Sequence, residues 1–347
     1  MDSPLDTCLR QLRERHATPQ TEVYSARRAQ SLSERAAAPF GLNREQEEAI
    51  AEALRATYYQ KLSPEAMAST EGEQDCRWHT VSRYWDAVTC MLPWIQGAVD
   101  LEGARVVEIG SGTGSSAAAW GQRAARVDAF EICSVSSEAA RRRFDIMGLD
   151  TVQVHVVEPV RSFDQIEEVV AQGPPVDLLV LFAVLEHMTI DERLTALIRG
   201  VKLLRPGGVL LIGETPNRLT WFDGHTAQLP FFHMLPDELA LLLVEQTGRR
   251  ALIESVAEAR SHSIESALLQ RVRWGTGVSY HEFEAAFGAS VHGTVIRSGY
   301  EPEIQALCPI SVEEALLAAY CRQLELPVHE AFYRNHLYML LQKPGGG

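Results

Sequence analysis

The feature that most constrains this chain is Val106-Val107-Glu108-Ile109 running straight into Gly110-Ser111-Gly112-Thr113-Gly114. Arg105 to Ile109 has the length and apolar content of a buried strand, and three glycines at alternate positions stop it. Ser115 to Ala125 then resumes as an Ala-rich helix. A strand, a tight glycine turn and a helix N-terminus let bare backbone and free N–H groups approach a ligand closely. The second strand, Val127 to Ile132, carries Glu131 about twenty residues beyond Gly110, where an acid accepts hydrogen bonds from a ribose diol. The spacing also discriminates between ligands. A dinucleotide fingerprint has its third glycine three positions after the second, but here Gly114 follows Gly112 by two and position 115 is Ser. Pyrophosphate is therefore disfavoured, and a ribose-bearing ligand without phosphate is favoured.

Glu108-Ile109-Gly110-Ser111-Gly112-Thr113-Gly114, with Glu131, resembles the first two motifs of the class I S-adenosylmethionine-dependent methyltransferases. Val176-Asp177-Leu178-Leu179-Val180-Leu181-Phe182-Ala183-Val184-Leu185-Glu186-His187-Met188 is similar to that family's fourth strand and the loop after it. Leu203-Leu204-Arg205-Pro206-Gly207-Gly208-Val209-Leu210-Leu211-Ile212 is similar to the turn into its fifth strand. The four signals stand in family order and cover roughly residues 100 to 216. The resemblance implies S-adenosyl-L-methionine as cofactor, bound by Glu108, Gly110, Ser111, Gly112, Gly114, Glu131, Ile132, Glu158 and Leu185. Glu108 is expected near the methionine amino group, Glu131 on the ribose and Glu158 near the adenine amine.

The chain alternates strand and helix from residue 101: strands 105–109, 127–132, 152–157, 176–182 and 208–213, with helices 115–125, 136–147, 163–172 and 191–204 between them. That order predicts an α/β, doubly wound, mostly parallel sheet with ligands at the carboxyl ends of its strands. By resemblance the sheet has seven strands. Leu337 to Gln342 is the last, antiparallel one, with Ile304 to Ile310 as its partner and a helix over 311–324 between them. The expected division is a helical cap over 1–100, a cofactor-binding core over 101–216, a substrate-recognition insertion over 217–300 and closing strands over 301–347. In the cap, helices are expected over Leu5 to His16 and over Arg44 to Tyr59 behind Asn43, with a loop over Ser63 to Gln74. A third helix, Asp75 to Ile95, has an apolar stripe of Trp78, Val81, Trp85, Val88, Leu92 and Ile95. Arg77, His79 and Arg83 on it are candidates for the cofactor carboxylate or the substrate.

A net charge of −14 argues against a nucleic-acid partner, which needs clustered cations. The one basic triplet, Arg141-Arg142-Arg143, reads as helix-end cations. Cys8, Cys76, Cys90, Cys133, Cys308 and Cys321 show no metal spacing and read as reduced thiols. Cys308-Pro309 lies too far along the chain to be a nucleophile dipeptide. No signal peptide and no run of ~20 apolar residues is present. The expectation is therefore a cytoplasmic protein with no membrane and no bound metal, with homo-oligomerisation left open.

Candidate catalytic residues are His187, after the fourth strand, and His225 and His233, in the aromatic insertion. A histidine suits removal of a proton from an alcohol or phenol acceptor because its pKa lies near neutrality. Trp221, Phe222, Phe231, Phe232 and Tyr280 are the candidate walls for an organic acceptor. The fourth strand is followed by Phe182-Ala183-Val184-Leu185 and not by the Asn/Asp-Pro-Pro-Tyr/Phe pattern of amide- and adenine-directed enzymes, so a small-molecule acceptor is expected, with O-methylation foremost. N- or C-methylation of a small metabolite, a nicotinamide enzyme and a catalytically silent partner protein are the alternatives.

Overall fold

The computed structural model describes residues 40–288 and 291–345. The helix expected over Leu5 to His16 lies outside these residues.

The described residues build a seven-stranded sheet in the order β3-β2-β1-β4-β5-β7-β6. Its strands are β1 Arg105–Ile109, β2 Arg126–Glu131, β3 Val152–Val156, β4 Val176–Phe182, β5 Leu204–Pro216, β6 Val295–Arg297 and β7 His336–Gln342. β1 to β5 pair in parallel, while β7 runs antiparallel to both β5 and β6. The continuous apolar runs of β1 and β4 follow from burial on both faces, as a parallel sheet covered by helices requires. One core lies on each side of the sheet. Val106, Val127, Leu178 and Leu211 face the N-terminal helices, and Val107, Phe130, Leu179 and Ile212 face the other layer.

Helix α1, Arg44–Ala56, starts behind Asn43, whose side chain accepts from the Gln46 N–H at 2.9 Å while Gln46 reaches back, closing a capping box. The expected loop over Ser63 to Gln74 is instead mostly helical, Pro64–Met67 and Thr70–Arg77. Its serines are the reason: Ser63 and Ser69 each cap a helix start, at 3.2 Å to the Ala66 N–H and 3.1 Å to the Gly72 N–H. From Thr70 the chain stays helical to Gln96, with wide π-type turns at Trp78–Ser82 and Ala87–Met91. Such turns shift the helix face, and His79 and Arg83 both reach the site described below.

The crossover helices α2 Ser115–Gly121, α3 Ser134–Met147, α4 Ser162–Val170 and α5 Ile190–Leu203 stand where expected. Two expectations fail near the C-terminus. β6 is Val295–Arg297, and residues 302–307 are a helix, Pro302–Leu307. Proline at its first turn is pre-set for a helix, and Ile304 is the one residue it buries. The last helix, Val312–Gln323, agrees with the expected span, and no described helix is long and apolar enough to cross a membrane.

Candidate active site

A cavity of about 660 Å³ opens at the carboxyl ends of β1, β2 and β4. Its floor is the turn from Gly110 to Thr113. Each glycine there has its own reason. A Cβ on Gly110 would lie 2.2 Å from Val184 Cγ2, and one on Gly114 would lie 2.7 Å from the Phe144 ring, so both positions are closed by packing. A Cβ on Gly112, at φ +53°, would meet nothing within 4 Å and would project into open space. Only the middle glycine is kept bare by the cavity itself.

Glu131, at the end of β2, holds this turn. Its Oε2 accepts the Gly112 N–H at 2.8 Å, and its Oε1 accepts the N–H groups of Ile132 at 2.8 Å and Cys133 at 2.9 Å. Beside it the Ser111 hydroxyl is buried with no hydrogen-bond partner, a polar atom waiting for a ligand. Arg143, on α3, ties the turn to the N-terminal helices. It is fully buried and donates from Nε to Thr113 O and from Nη1 to Thr80 O, each at 2.9 Å. Burial lowers its pKa to about 10. The helix-end reading of the basic triplet is thus wrong for Arg143, which binds backbone across two layers. His79 meets the same turn through Nδ1, 3.3 Å from Thr113 Oγ1.

Gly110, Ser111, Gly112, Glu131 and Ile132 line the cavity, and four other expected cofactor positions do not. Glu108 is fully buried; its Oε1 accepts at 2.5 Å from the hydroxyl of Ser116, which does line the cavity, and its Oε2 has no partner. Burial pushes its carboxyl up to about 7, against the pull of that hydrogen bond. Gly114 belongs to the α2–α3 contact, Leu185 is buried in the core, and Glu158 is exposed on the surface. Polar groups beside Val157 and Phe163 in the lining include Arg161, Ser162 and Asp164, the last paired with Arg199 at 2.8 Å.

The other end is closed by Arg83, His187, Met188 and Arg273. Arg83 pairs with Glu214 at 2.9 Å. Ala183 (φ +48°) and Glu214 (φ +51°) stand in the left-handed region just past β4 and near the end of β5. Such backbone costs of order 1–3 kcal/mol per residue and gathers at functional sites. His187 Nδ1 is 2.9 Å from the Arg273 carbonyl, so Nδ1 carries the hydrogen and Nε2 the lone pair. Burial lowers the His187 pKa to about 4, helped by the nearby positive charges of Arg83, Arg193 and Arg273. His225 lies behind it, ring centroids 5.3 Å apart, and burial with the neighbouring imidazole lowers its pKa as well.

His233 is committed elsewhere. Its Nδ1 accepts the Gly277 N–H at 3.1 Å, so Nε2 carries the hydrogen that faces Asp223 Oδ1 at 3.2 Å. Both nitrogens are spent on the fold, and the ring does not line the cavity. Burial alone would raise the Asp223 carboxyl, but His233 and the N–H groups of Thr226 and Ala227 hold it below the usual range. None of the five candidate wall aromatics reaches this cavity. Phe222 and Phe232 are buried, and Tyr280 stacks on His292. Trp221 and Phe231 line a separate cavity of about 560 Å³ with Glu313 and Tyr333. Sequence reasoning missed Arg273, Arg143 and Asp164. Nothing local marks the first two, whereas the start of the helix after β3 is a place to look for the third.

Residues 107–210 match the methyltransferase domain family. No curated protein matches the chain. Among solved structures, an rRNA methylase from Streptococcus thermophilus is 17% identical over 35% of this chain and 68% of that one, with a TM-score of 0.30. The amino pentose methyltransferase of calicheamicin biosynthesis from Micromonospora echinaspora, bound to its cofactor, is 26% identical over 42% of this chain and 56% of that one, TM-score 0.32. Phosphoethanolamine N-methyltransferase 1 from Haemonchus contortus is 15% identical over 50% of this chain and 34% of that one, TM-score 0.32. The last two are matched over about half of their own length or less, and likenesses this loose carry no argument about acceptor. The family match, the strand order and the glycine turn with Glu131 agree on one assignment: residues 107–210 are a methyltransferase domain of the S-adenosylmethionine-dependent class.

Proposed function

We propose that this chain transfers a methyl group from S-adenosylmethionine to a small organic acceptor, foremost at oxygen, and that residues 1–100 and 217–300 select that acceptor. One observation carries the reading. The glycine turn with Glu131 and the imidazole of His187 open into the same cavity, which Tyr58, His79 and Arg83 wall from the cap and Arg273 from the insertion. The sulfonium of the cofactor supplies an already activated methyl group for in-line displacement. What remains for the protein is to bind, orient and exclude water.

Glu131 has lone-pair capacity left for a ribose hydroxyl, Ser111 Oγ lacks a partner, and the bare face of Gly112 admits a ligand against the backbone. Ile132, Val157 and Phe163 offer an apolar wall for a base, with Ser162 and Asp164 at its edge. Arg83 and Arg273 are cations at the opposite end. His187 stands there with its Nε2 lone pair unspent, in the place from which an acceptor hydroxyl is activated. N-methylation of a small amine is the second reading, since a neutral amine also loses a proton after attack.

The test is direct. The purified chain is titrated with S-adenosylhomocysteine and with NAD, then assayed for transfer of labelled methyl to a panel of small hydroxy, carboxy and amino compounds. S-adenosylhomocysteine at a hundred times its Kd should stabilise the fold by about 2.7 kcal/mol, and NAD should not. No stabilisation by S-adenosylhomocysteine would remove the reading. Turnover confined to amines would replace oxygen by nitrogen.

A further inference from the structure

We propose that Glu186, His187 and His225 form a binding site for one divalent first-row transition cation, at the edge of the cavity where the acceptor is activated. It deepens the acceptor-activation reading, but binding of the cation is measurable without any cofactor.

The argument starts from lone pairs. Glu186 is fully buried in the loop after β4, and neither of its carboxylate oxygens has a hydrogen-bond partner among the described residues. Three carboxylates of the same region are matched by cations: Glu214 with Arg83 at 2.9 Å, Glu282 with Arg193 at 3.1 Å and Glu192 with Arg273 at 2.6 Å. A buried carboxylate left unmatched costs several kcal/mol, so the position calls for a positive partner or a proton.

The two imidazoles do not supply that partner. His187 donates from Nδ1 to the Arg273 carbonyl, leaving its Nε2 lone pair 3.7 Å from Glu186 Oε1. His225 Nδ1 is 2.9 Å from Thr226 Oγ1, and the single hydrogen of that hydroxyl is directed to the carbonyls of Trp274 at 3.1 Å and Gly275 at 3.0 Å. Thr226 must then accept from His225, whose Nε2 is left as a second lone pair. Two imidazole nitrogens and a carboxylate, one atom from each, lie within 4.8 Å of one another. They are acceptors with no donor between them.

The arrangement is held from outside. Residues 273–276 fix all three groups: Arg273 O takes His187, Trp274 O and Gly275 O take Thr226 beneath His225, and the Thr276 N–H donates to Glu186 O at 2.8 Å. Gly275 has φ +122°, and a Cβ there would lie 2.6 Å from His225 Nδ1, so the close approach needs glycine. Imidazoles that give their other N–H to a carbonyl or hydroxyl are oriented as metal ligands are.

Two nitrogens and one carboxylate favour Zn²⁺, Mn²⁺, Fe²⁺ or Co²⁺ over Mg²⁺, which prefers oxygen. Bonds of roughly 2.0–2.2 Å in a tetrahedron put ligand atoms about 3.4 Å apart, close to the 3.7 Å between Glu186 Oε1 and His187 Nε2 and below the 4.8 Å that bounds all three groups. Three protein ligands leave coordination for water or an acceptor hydroxyl; with a cation bound, His187 is a ligand in place of the base, and the hydroxyl proton, made easier to lose, passes to solvent. The absence of metal spacing in the sequence does not count against the site, because Glu186 and His225 come from different loops.

The test uses the whole chain, stripped with a chelator and titrated calorimetrically with Zn²⁺, Co²⁺ and Mg²⁺ without cofactor. Co²⁺ absorption in the visible reports the ligand geometry. We expect one Zn²⁺ or Co²⁺ per chain, much weaker Mg²⁺, and at least a hundredfold loss of Zn²⁺ affinity in both Glu186→Gln and His225→Gln. S-adenosylhomocysteine affinity, measured separately, should stay within threefold in both variants and so reports that they fold. If one variant does not fold, the other carries the same comparison. No stoichiometric Zn²⁺ or Co²⁺ binding by the wild-type chain overturns the proposal, and so does undiminished binding by a folded variant. Cation binding without S-adenosylhomocysteine binding would instead overturn the methyltransferase reading and leave this site standing.

Discussion

Glu131→Gln separates ligand binding from loop support. The carboxylate has about four lone-pair directions, and three are spent on the N–H groups of Gly112, Ile132 and Cys133. One direction remains for the ligand, so one charge-assisted hydrogen bond to a ribose hydroxyl is at stake. Such a bond contributes about 1.5–3 kcal/mol, which converts to a ten- to hundredfold rise in Kd. The glutamine oxygen can keep serving Ile132 and Cys133, but its NH₂ then faces the Gly112 N–H, donor against donor. The variant should therefore lose about 1–3 kcal/mol of stability for that one orphaned amide. Calorimetry with S-adenosylhomocysteine measures the first effect and urea unfolding the second. Adenosine and its 2′- and 3′-deoxy forms close a cycle: removing the contacted hydroxyl should weaken wild-type binding and do nothing further in the variant. The reasoning fails if Kd moves by less than twofold, or if the deoxy analogues lose as much affinity in the variant as in the wild type.

Gly112→Val should abolish S-adenosylhomocysteine binding while costing about 1–2 kcal/mol for a side chain at φ +53°, since its Cβ meets no protein atom; an intact Kd by calorimetry would place the ligand elsewhere. His187→Ala should cut turnover at least tenfold with S-adenosylhomocysteine affinity within threefold, and equal losses in both would make the residue a cofactor contact. His233→Ala should behave oppositely, losing about 1–3 kcal/mol of stability because the Asp223 carboxylate and the Gly277 N–H each lose a buried hydrogen-bond partner, with little change in Kd. Glu108 is pushed up from 4.5 to about 7, so the folded chain holds a proton there that the unfolded chain releases, and stability falls as pH rises through that window. The fall amounts to about 3 kcal/mol and should be absent in Glu108→Gln, read as the difference in urea midpoint between pH 5 and pH 8.

The two halves of the site were unequally legible in the sequence. The cofactor end is written in short runs because backbone geometry dictates it. A turn with positive φ at Gly110 and Gly112 and an acid at the end of the next strand leave a fixed spacing that any reader of the chain can find. Even there, alternate glycines look identical in sequence and differ in cause: packing against Val184 and Phe144 accounts for two, open space for the third. Glu108 shows a similar limit, because strand alternation fixes the face of a side chain but not that Ser116 takes one of its carboxylate oxygens.

At the acceptor end no local rule applies. His187, His225 and Arg273 are far apart in the chain and meet only because residues 273–276 strap the loop after β4 to the one after β5. His225 and His233 look equivalent from composition, both lying among aromatics and turns. The structure spends both nitrogens of one and leaves a lone pair on the other, and the difference lies in partners supplied by Gly277 and Thr226. Arg143 shows the converse: a basic triplet suggests surface, yet its last member is buried on three backbone carbonyls, where only the packed cap and turn supply acceptors. A nucleotide-like cofactor can be recognised through backbone that one strand–turn–helix unit fixes alone. An acceptor must be recognised through side chains, and side chains of the right chemistry are brought together here by tertiary contacts from an insertion. The residues that decide the acceptor are therefore to be sought around Glu186, His187, His225 and Arg273, more than among the aromatic residues that made the insertion conspicuous.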